Sequence, residues 1–223
     1  MKGRIKLRNP SIIWVNFQKN REPSSVSWNY LPQVWGIHKN TDTLYIAPNE
    51  KTDYWQKTHA GFSADNGHFL YTECNQDMTI TTRVLSTPMH QYDQAGLMIR
   101  FSENCWLKTS IEYITTEQSM LGVVVTNQGY SDWSTQVYKN QHSDIYLRIR
   151  RKAGDYIVEY LESDKKKEGS LQSLKQSWEQ LRVTHLIEDT NDTAFQCGIY
   201  ACSPKKKGFV AEFDFVTIDI NNR

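Results

Sequence analysis

Apolar residues in this chain return at every second position, in short runs broken by turn residues. In residues 94–101 (QAGLMIRF), Leu97, Ile99 and Phe101 fall on one side and Gly96, Met98 and Arg100 on the other. Residues 106–113 (WLKTSIEY) set Leu107, Thr109, Ile111 and Tyr113 against Trp106, Lys108, Ser110 and Glu112. Successive side chains of a strand point to opposite faces, so this spelling predicts strands with one apolar face. The same reading covers residues 121–126, 145–150, 156–160, 195–202 and 209–218. Turn signals separate the runs, at Ser102-Glu103-Asn104, Asn127-Gln128-Gly129, Ala153-Gly154-Asp155, Asn191-Asp192 and Ser203-Pro204. Runs 106–113 and 121–126 have hairpin spacing, as do 145–150 and 156–160. Only residues 171–183 depart: Leu171, Leu174, Trp178 and Leu181 recur at helical spacing and predict a short helix or irregular crossover. The lysine run at 165–169 reads as an exposed loop. The chain is therefore expected to be all-β, a sandwich or barrel with at most one short helix.

A chain of 223 residues can form one β-sandwich without metal or disulfide support. One domain is expected over residues 26–223, preceded by a basic N-terminal arm or edge strand over residues 1–25. That start carries Lys2, Arg4, Lys6, Arg8, Lys19 and Arg21, with Ile5, Leu7, Ile12, Trp14 and Phe17 between them. The interspersed apolar residues favour a strand over a charged tail. With 26 basic and 25 acidic residues, the chain lacks the basic field that binding to nucleic acid or an anionic membrane requires. No apolar stretch is long enough to span a bilayer. The beginning lacks a signal-peptide pattern, and Cys74, Cys105, Cys197 and Cys202 have no paired Cys-x-x-Cys spacing. A cytoplasmic protein with free thiols is the expectation.

Five segments in register resemble one family: residues 52–71 (TDYWQKTHAGFSADNGHFLY), 92–101 (YDQAGLMIRF), 105–113 (CWLKTSIEY), 130–134 (YSDWS) and 199–215 (IYACSPKKKGFVAEFDF). Together with WNYLPQVWGIHKNTDTLYI upstream, they are similar to the concanavalin-A-like "regulation of enolase" proteins over residues 26–218. The resemblance implies a jelly-roll sandwich of two curved antiparallel sheets, one convex and one concave. It also implies a cytosolic partner, a metabolic enzyme such as enolase. Function itself has to be argued from the site.

The polar half of the alternation supplies the candidate site. If the apolar rows face the core, Gln94, Met98, Arg100, Trp106, Lys108, Ser110 and Glu112 share the opposite surface, where Glu112 is expected to meet Arg100 or Lys108. Asp53, Trp55, His59 and His68 lie in one aromatic-rich segment. Tyr92, Asp93 and Gln94 lead into the next strand, and Asp132 and Trp133 sit in a turn. Aromatic faces suit the C–H side of a pyranose, and planar polar groups suit its hydroxyls. Trp55, Trp106 and Trp133 are the stacking candidates. Asp93, Gln94, Glu112 and Asp132 are the hydrogen-bonding ones, with Lys108 and His68 beside them. The competing reading makes these tryptophans core residues and lets Asp93 and Asp132 close turns.

A glycosidase requires two carboxyl groups about 5–9.5 Å apart. Glu112 paired with Asp93 or Asp132 is the candidate for that alternative. Glu212 and Asp214 share a strand face but sit opposite the core row of Phe209, Ala211, Phe213 and Phe215. No nucleophile elbow or phosphate loop is present, and His59 and His68 read as hydrogen-bonded structural residues rather than metal ligands. The expectation is a binding protein without cofactor or metal, whose concave face takes a carbohydrate-like ligand.

Overall fold

The computed structural model describes residues 12–15 (as backbone), 26–59, 61–138, 143–162 and 178–220, and every regular element among them is a β-strand. The first six are short: β1 (Ile12–Val15), β2 (Ser27–Asn29), β3 (Val34–Ile37), β4 (Leu44–Ala47), β5 (Tyr54–Gln56) and β6 (Ser63–Asp65). Next come β7 (His68–Cys74), β8 (Met78–Thr87), β9 (Gln94–Ser102), β10 (Cys105–Tyr113), β11 (Ser119–Asn127) and β12 (Tyr130–Tyr138). The last are β13 (Ser143–Lys152), β14 (Asp155–Glu162), β15 (Glu179–His185), β16 (Phe195–Cys202) and β17 (Val210–Ile220).

They form two large antiparallel sheets. The front sheet runs β12-β11-β10-β9-β16-β7-β2. The back sheet runs β15-β14-β13-β8-β17-β4-β3, with β1 also pairing along β17. The expected hairpins β10–β11 and β13–β14 are present, and the sheets form the concanavalin-A-like jelly-roll sandwich. Leu97, Ile99, Leu107, Val123 and Ile199 of the front sheet meet Ile80, Leu147, Ile149, Val158 and Phe213 of the back sheet in one core. Burial of such side chains, about 1.5–3 kcal/mol each, fixes the register, because a one-residue slip would turn the whole row outward.

The anticipated row at the chain's end is only partly continuous. Phe209, Ala211 and Phe213 are buried, but a bulge between Phe213 and Phe215 reverses the phase, and Val216 and Ile218 continue the core. Glu212 and Asp214 face outward, hydrogen-bonded to His38 and Arg83.

The helical spacing at residues 171–183 does not produce a helix where the structure describes it. Residues 179–185 are β15, paired along the free edge of β14. Leu181 packs on the core, and the Arg148 guanidinium lies 4.0 Å from the Trp178 ring. An open strand edge outweighs the weak local helical preference. Residues 171–177, like the rest of the basic start around β1, lie outside the described residues.

The β5–β6 hairpin lies across the outer face of the front sheet, so β10 is buried on both sides. Tyr54 packs edge-on against Trp106 and Tyr200, and its hydroxyl donates to the Gly67 carbonyl at 2.6 Å. Polar ties also hold the hairpin down. Arg100 grips Asp65 with two bonds of 2.6 and 2.7 Å, and the Gln56 amide donates to Ser131 Oγ at 2.9 Å.

Candidate functional site

Between this hairpin and β12 lies a groove of about 710 Å³ on the outer face of the front sheet. The volume is within the usual range for a small-molecule site. Strand pairing sets its floor. One cross-strand row runs Trp133–Val124–Lys108–Met98, the next Thr135–Gly122–Ser110–Gly96–Tyr200, and the one beyond it Val137–Met120–Glu112–Gln94–Cys202. Adjacent rows are about 7 Å apart, so the Lys108 and Glu112 rows stand about 13 Å apart at the backbone, with the small residues Gly96, Ser110 and Gly122 between them, a floor longer than one sugar ring.

The walls are aromatic. Trp55 of β5 stacks on Phe62 with ring centres 6.5 Å apart and meets Trp133 of β12 edge-on, also at 6.5 Å. The Trp55 indole donates to the Thr58 carbonyl at 2.9 Å, which fixes its rotation. The turn that joins β5 to β6 is tight, with positive φ at Lys57, His59 and Gly61. Trp133 is 41% exposed, so its indole is open to a ligand. Gly122 lies beneath it: a Cβ there would come 2.9 Å from Trp133 Nε1 and 2.8 Å from the Ser134 carbonyl.

The floor is charged. Lys108, only 3% exposed in its side chain, sends Nζ to the Tyr54 carbonyl at 2.7 Å and to Asp53 Oδ1 at 3.3 Å. The Trp106 and Tyr200 rings lie 5.8 and 5.7 Å from the same ammonium. Asp53 Oδ1 also accepts from the Tyr54 amide at 2.8 Å and from Gln94 Nε2 at 3.4 Å. The Tyr200 hydroxyl donates to Gln94 Oε1 at 3.1 Å, which orients the amide.

Glu112 is different. It lines the groove half-buried, and its carboxyl has no hydrogen-bond partner among the described residues. Burial pushes it up to about 7; Lys108 opposes the shift and Asp53 adds to it. Arg100 does not reach it, being committed to Asp65. Asp132 stands at the exposed rim, paired with Arg182 of β15 at 3.2 Å.

The structure thus brings Trp55, Gln94, Lys108, Glu112, Asp132 and Trp133 to one groove. Three predicted residues are elsewhere. Trp106 has 0% exposure because Tyr54 covers it, and its indole donates to the Glu103 carbonyl at 3.1 Å, so it offers no stacking face. Asp93 is buried as a turn-closing acid: it accepts from the Met89 and His90 amides at 2.9 and 2.7 Å and from Ser203 Oγ at 2.8 Å. That removes it as a second catalytic carboxylate. His68 accepts from the Asn49 amide at 3.0 Å and, through Nδ1, donates to the Tyr30 carbonyl at 2.7 Å. Its burial lowers its pKa and keeps it a neutral structural residue. Asp132 and Trp133 belong to β12 rather than to a turn. Sequence reasoning missed Phe62 as a wall residue, and Asp53 as the partner of Lys108. The aromatic-rich run around Asp53 was the available signal.

The profile of the family described as "protein of unknown function (DUF1349)" matches residues 28–220. The chain belongs to this family. It is 34% identical over 195 residues to regulation of enolase protein 1 of Saccharomyces cerevisiae, spanning 87% of this chain and 89% of that protein. The crystal structure of a functionally unknown protein from S. cerevisiae superposes with a TM-score of 0.75 at 30% identity, over 90% of this chain and 98% of the other. The GH43 protein BlXynB from Bacillus licheniformis superposes with a TM-score of 0.68 at 15% identity, covering 98% of this chain but 41% of that one. At that identity the likeness speaks for the fold alone. No helix among the described residues is long and apolar enough to cross a membrane.

Proposed function

We propose that this protein is a binding protein whose groove accepts a carbohydrate-like ligand, and that occupancy of the groove regulates a metabolic enzyme. One observation carries the first half: the Trp55, Phe62 and Trp133 walls stand over a floor of Gln94, Lys108 and Glu112. Aromatic faces and a few convergent polar groups are what a sugar ring requires. The second half rests on the name of the yeast relative, regulation of enolase protein 1, and suits a cytoplasmic protein.

The test is a thermal-shift screen against a broad set of oligosaccharides. A ligand at about 100 times its Kd stabilises the fold by about 2.7 kcal/mol. Trp55→Ala and Trp133→Ala are expected to abolish the shift while the protein stays folded. A flat response across the set would refute the sugar reading. Enolase retained on the immobilised protein, and released or gained with ligand, supports the regulatory half; no retention with or without ligand refutes it.

A second reading has its own observation, the Glu112 carboxyl held near 7 in a groove that also contains Asp53 and Asp132. A neutral carboxyl beside an ionised one is the arrangement of a glycoside hydrolase. Turnover of a chromogenic glycoside that disappears in Glu112→Gln would establish it, and turnover that persists would remove Glu112 from the mechanism.

A further inference from the structure

We propose that the groove selects an oligosaccharide bearing protonated amines, of the amino-sugar class, with one ammonium received by Glu112 and a sugar ring farther along the chain resting on the Trp55 and Trp133 walls. This rests on the sugar-binding reading above and names the kind of sugar.

The charges of the groove lead there. The Lys108 ammonium is committed to Asp53 and the Tyr54 carbonyl, and the Asp132 carboxylate to Arg182. These pairs cancel. Glu112 remains, with no hydrogen-bond donor turned toward it among the described residues. A carboxylate partly removed from water gains from a partner, and none of the described residues supplies a hydrogen bond to it. A ligand ammonium would, through a charge-assisted hydrogen bond. The aromatic walls favour the same charge, since the faces of tryptophan and phenylalanine attract cations. A ligand anion at this position would meet Glu112 and Asp53 together.

The groups facing Glu112 set its pH behaviour. Lys108 lies on its own strand, and Asp53 leads into the covering hairpin. Tyr200 and Cys202 come from β16, and both are pushed up by burial. Gln94, opposite Glu112 on β9, is uncharged. Ligand binding that requires the Glu112 anion therefore strengthens as pH rises toward neutrality.

The experiment is calorimetric titration of the full chain with a glucosamine tetramer, its N-acetylated counterpart, cellotetraose and the diamine putrescine, at about pH 5 and about pH 7. The glucosamine tetramer is expected to bind at least tenfold more tightly than the two neutral tetramers, and at least tenfold more tightly at the higher pH. Glu112→Gln should erase both differences. The amide has the shape of the neutral carboxyl, and the pH comparison on the unaltered chain needs no variant. Equal affinity for charged and neutral tetramers overturns the inference but leaves the sugar-binding reading standing. Glu112-dependent binding of putrescine with no binding of any tetramer supports an ammonium site and refutes the sugar. Binding of none of the four refutes both.

Discussion

Replacing Glu112 by glutamine isolates the cost of keeping a carboxylate at the groove floor. In the unfolded chain this group ionises near the ordinary 4.5, whereas burial in the fold pushes it up to about 7. Below the lower value both states hold the proton, and stability is unaffected. Between the two, the unfolded chain has released its proton while the folded chain retains it, so stability falls as pH rises. Above the higher value the loss levels off. At about 1.4 kcal/mol per pH unit the full excursion corresponds to about 3 kcal/mol. Water entering the open groove reduces this, so about 1–3 kcal/mol is expected. Glu112→Gln, which cannot ionise, should therefore match the parent chain near pH 4 and exceed it near pH 8. For a chain of this size that is about 2–10 °C in Tm. Thermal melts at both pH values, with urea titrations to convert them to free energy, make the measurement. A Tm difference between the two proteins that is the same at pH 4 and pH 8 would refute the reasoning.

Lys108→Met should destabilise the fold by about 3–5 kcal/mol in urea titration, because it leaves the Tyr54 carbonyl and Asp53 without their ammonium. Gly122→Ala should cost about 1–3 kcal/mol and weaken any groove ligand, since the new methyl group meets the Trp133 indole and the Ser134 carbonyl; a shift in tryptophan emission reports the displacement. Trp106→Phe should lower stability but leave the ligand Kd within about twofold, because the ring is sealed beneath Tyr54. Tyr156→Phe should cost about 1.5–3 kcal/mol by removing the hydrogen bond to the buried Asp189, which is also held by Arg151; a denaturation midpoint unchanged from the parent would contradict it.

The strands whose two faces differ were legible in the sequence. β9, β10, β16 and most of β17 alternate cleanly, because one side packs against another sheet. β12 was not, since YSDWSTQVY is exposed on both faces over most of its length and its residues read as a turn. β15 was masked in the other direction, by apolar residues whose spacing suits a helix although β14 offers them a ladder. The site was legible to the depth of one strand. Period-two alternation puts Lys108 and Glu112 on one face whatever the tertiary fold. It says nothing about what covers that face, and the short β5–β6 hairpin decides that question. It buries Trp106, ties Arg100 to Asp65 and Lys108 to Asp53, and leaves Glu112 alone. Asp93 and His68 were misassigned because their polar atoms serve the backbone rather than the groove. Asp93 closes its own turn through the Met89 and His90 amides, the competing reading of its residue type, whereas His68 bonds backbone groups of distant loops at Asn49 and Tyr30, which residue type does not announce.

The groove wall β12 is also the border of its sheet. Among the described residues it pairs only with β11, so one side of its backbone is unladdered, and Tyr130, Trp133 and Val137 stand exposed along it. Such a border is a template for intermolecular strand addition. The charges that interrupt it here are Asp132 and the Arg182 that clasps it. Recognition and colloidal behaviour therefore share a segment: adding aromatic surface to β12 to tighten a ligand, or removing Asp132 to open the rim, moves the protein toward self-association.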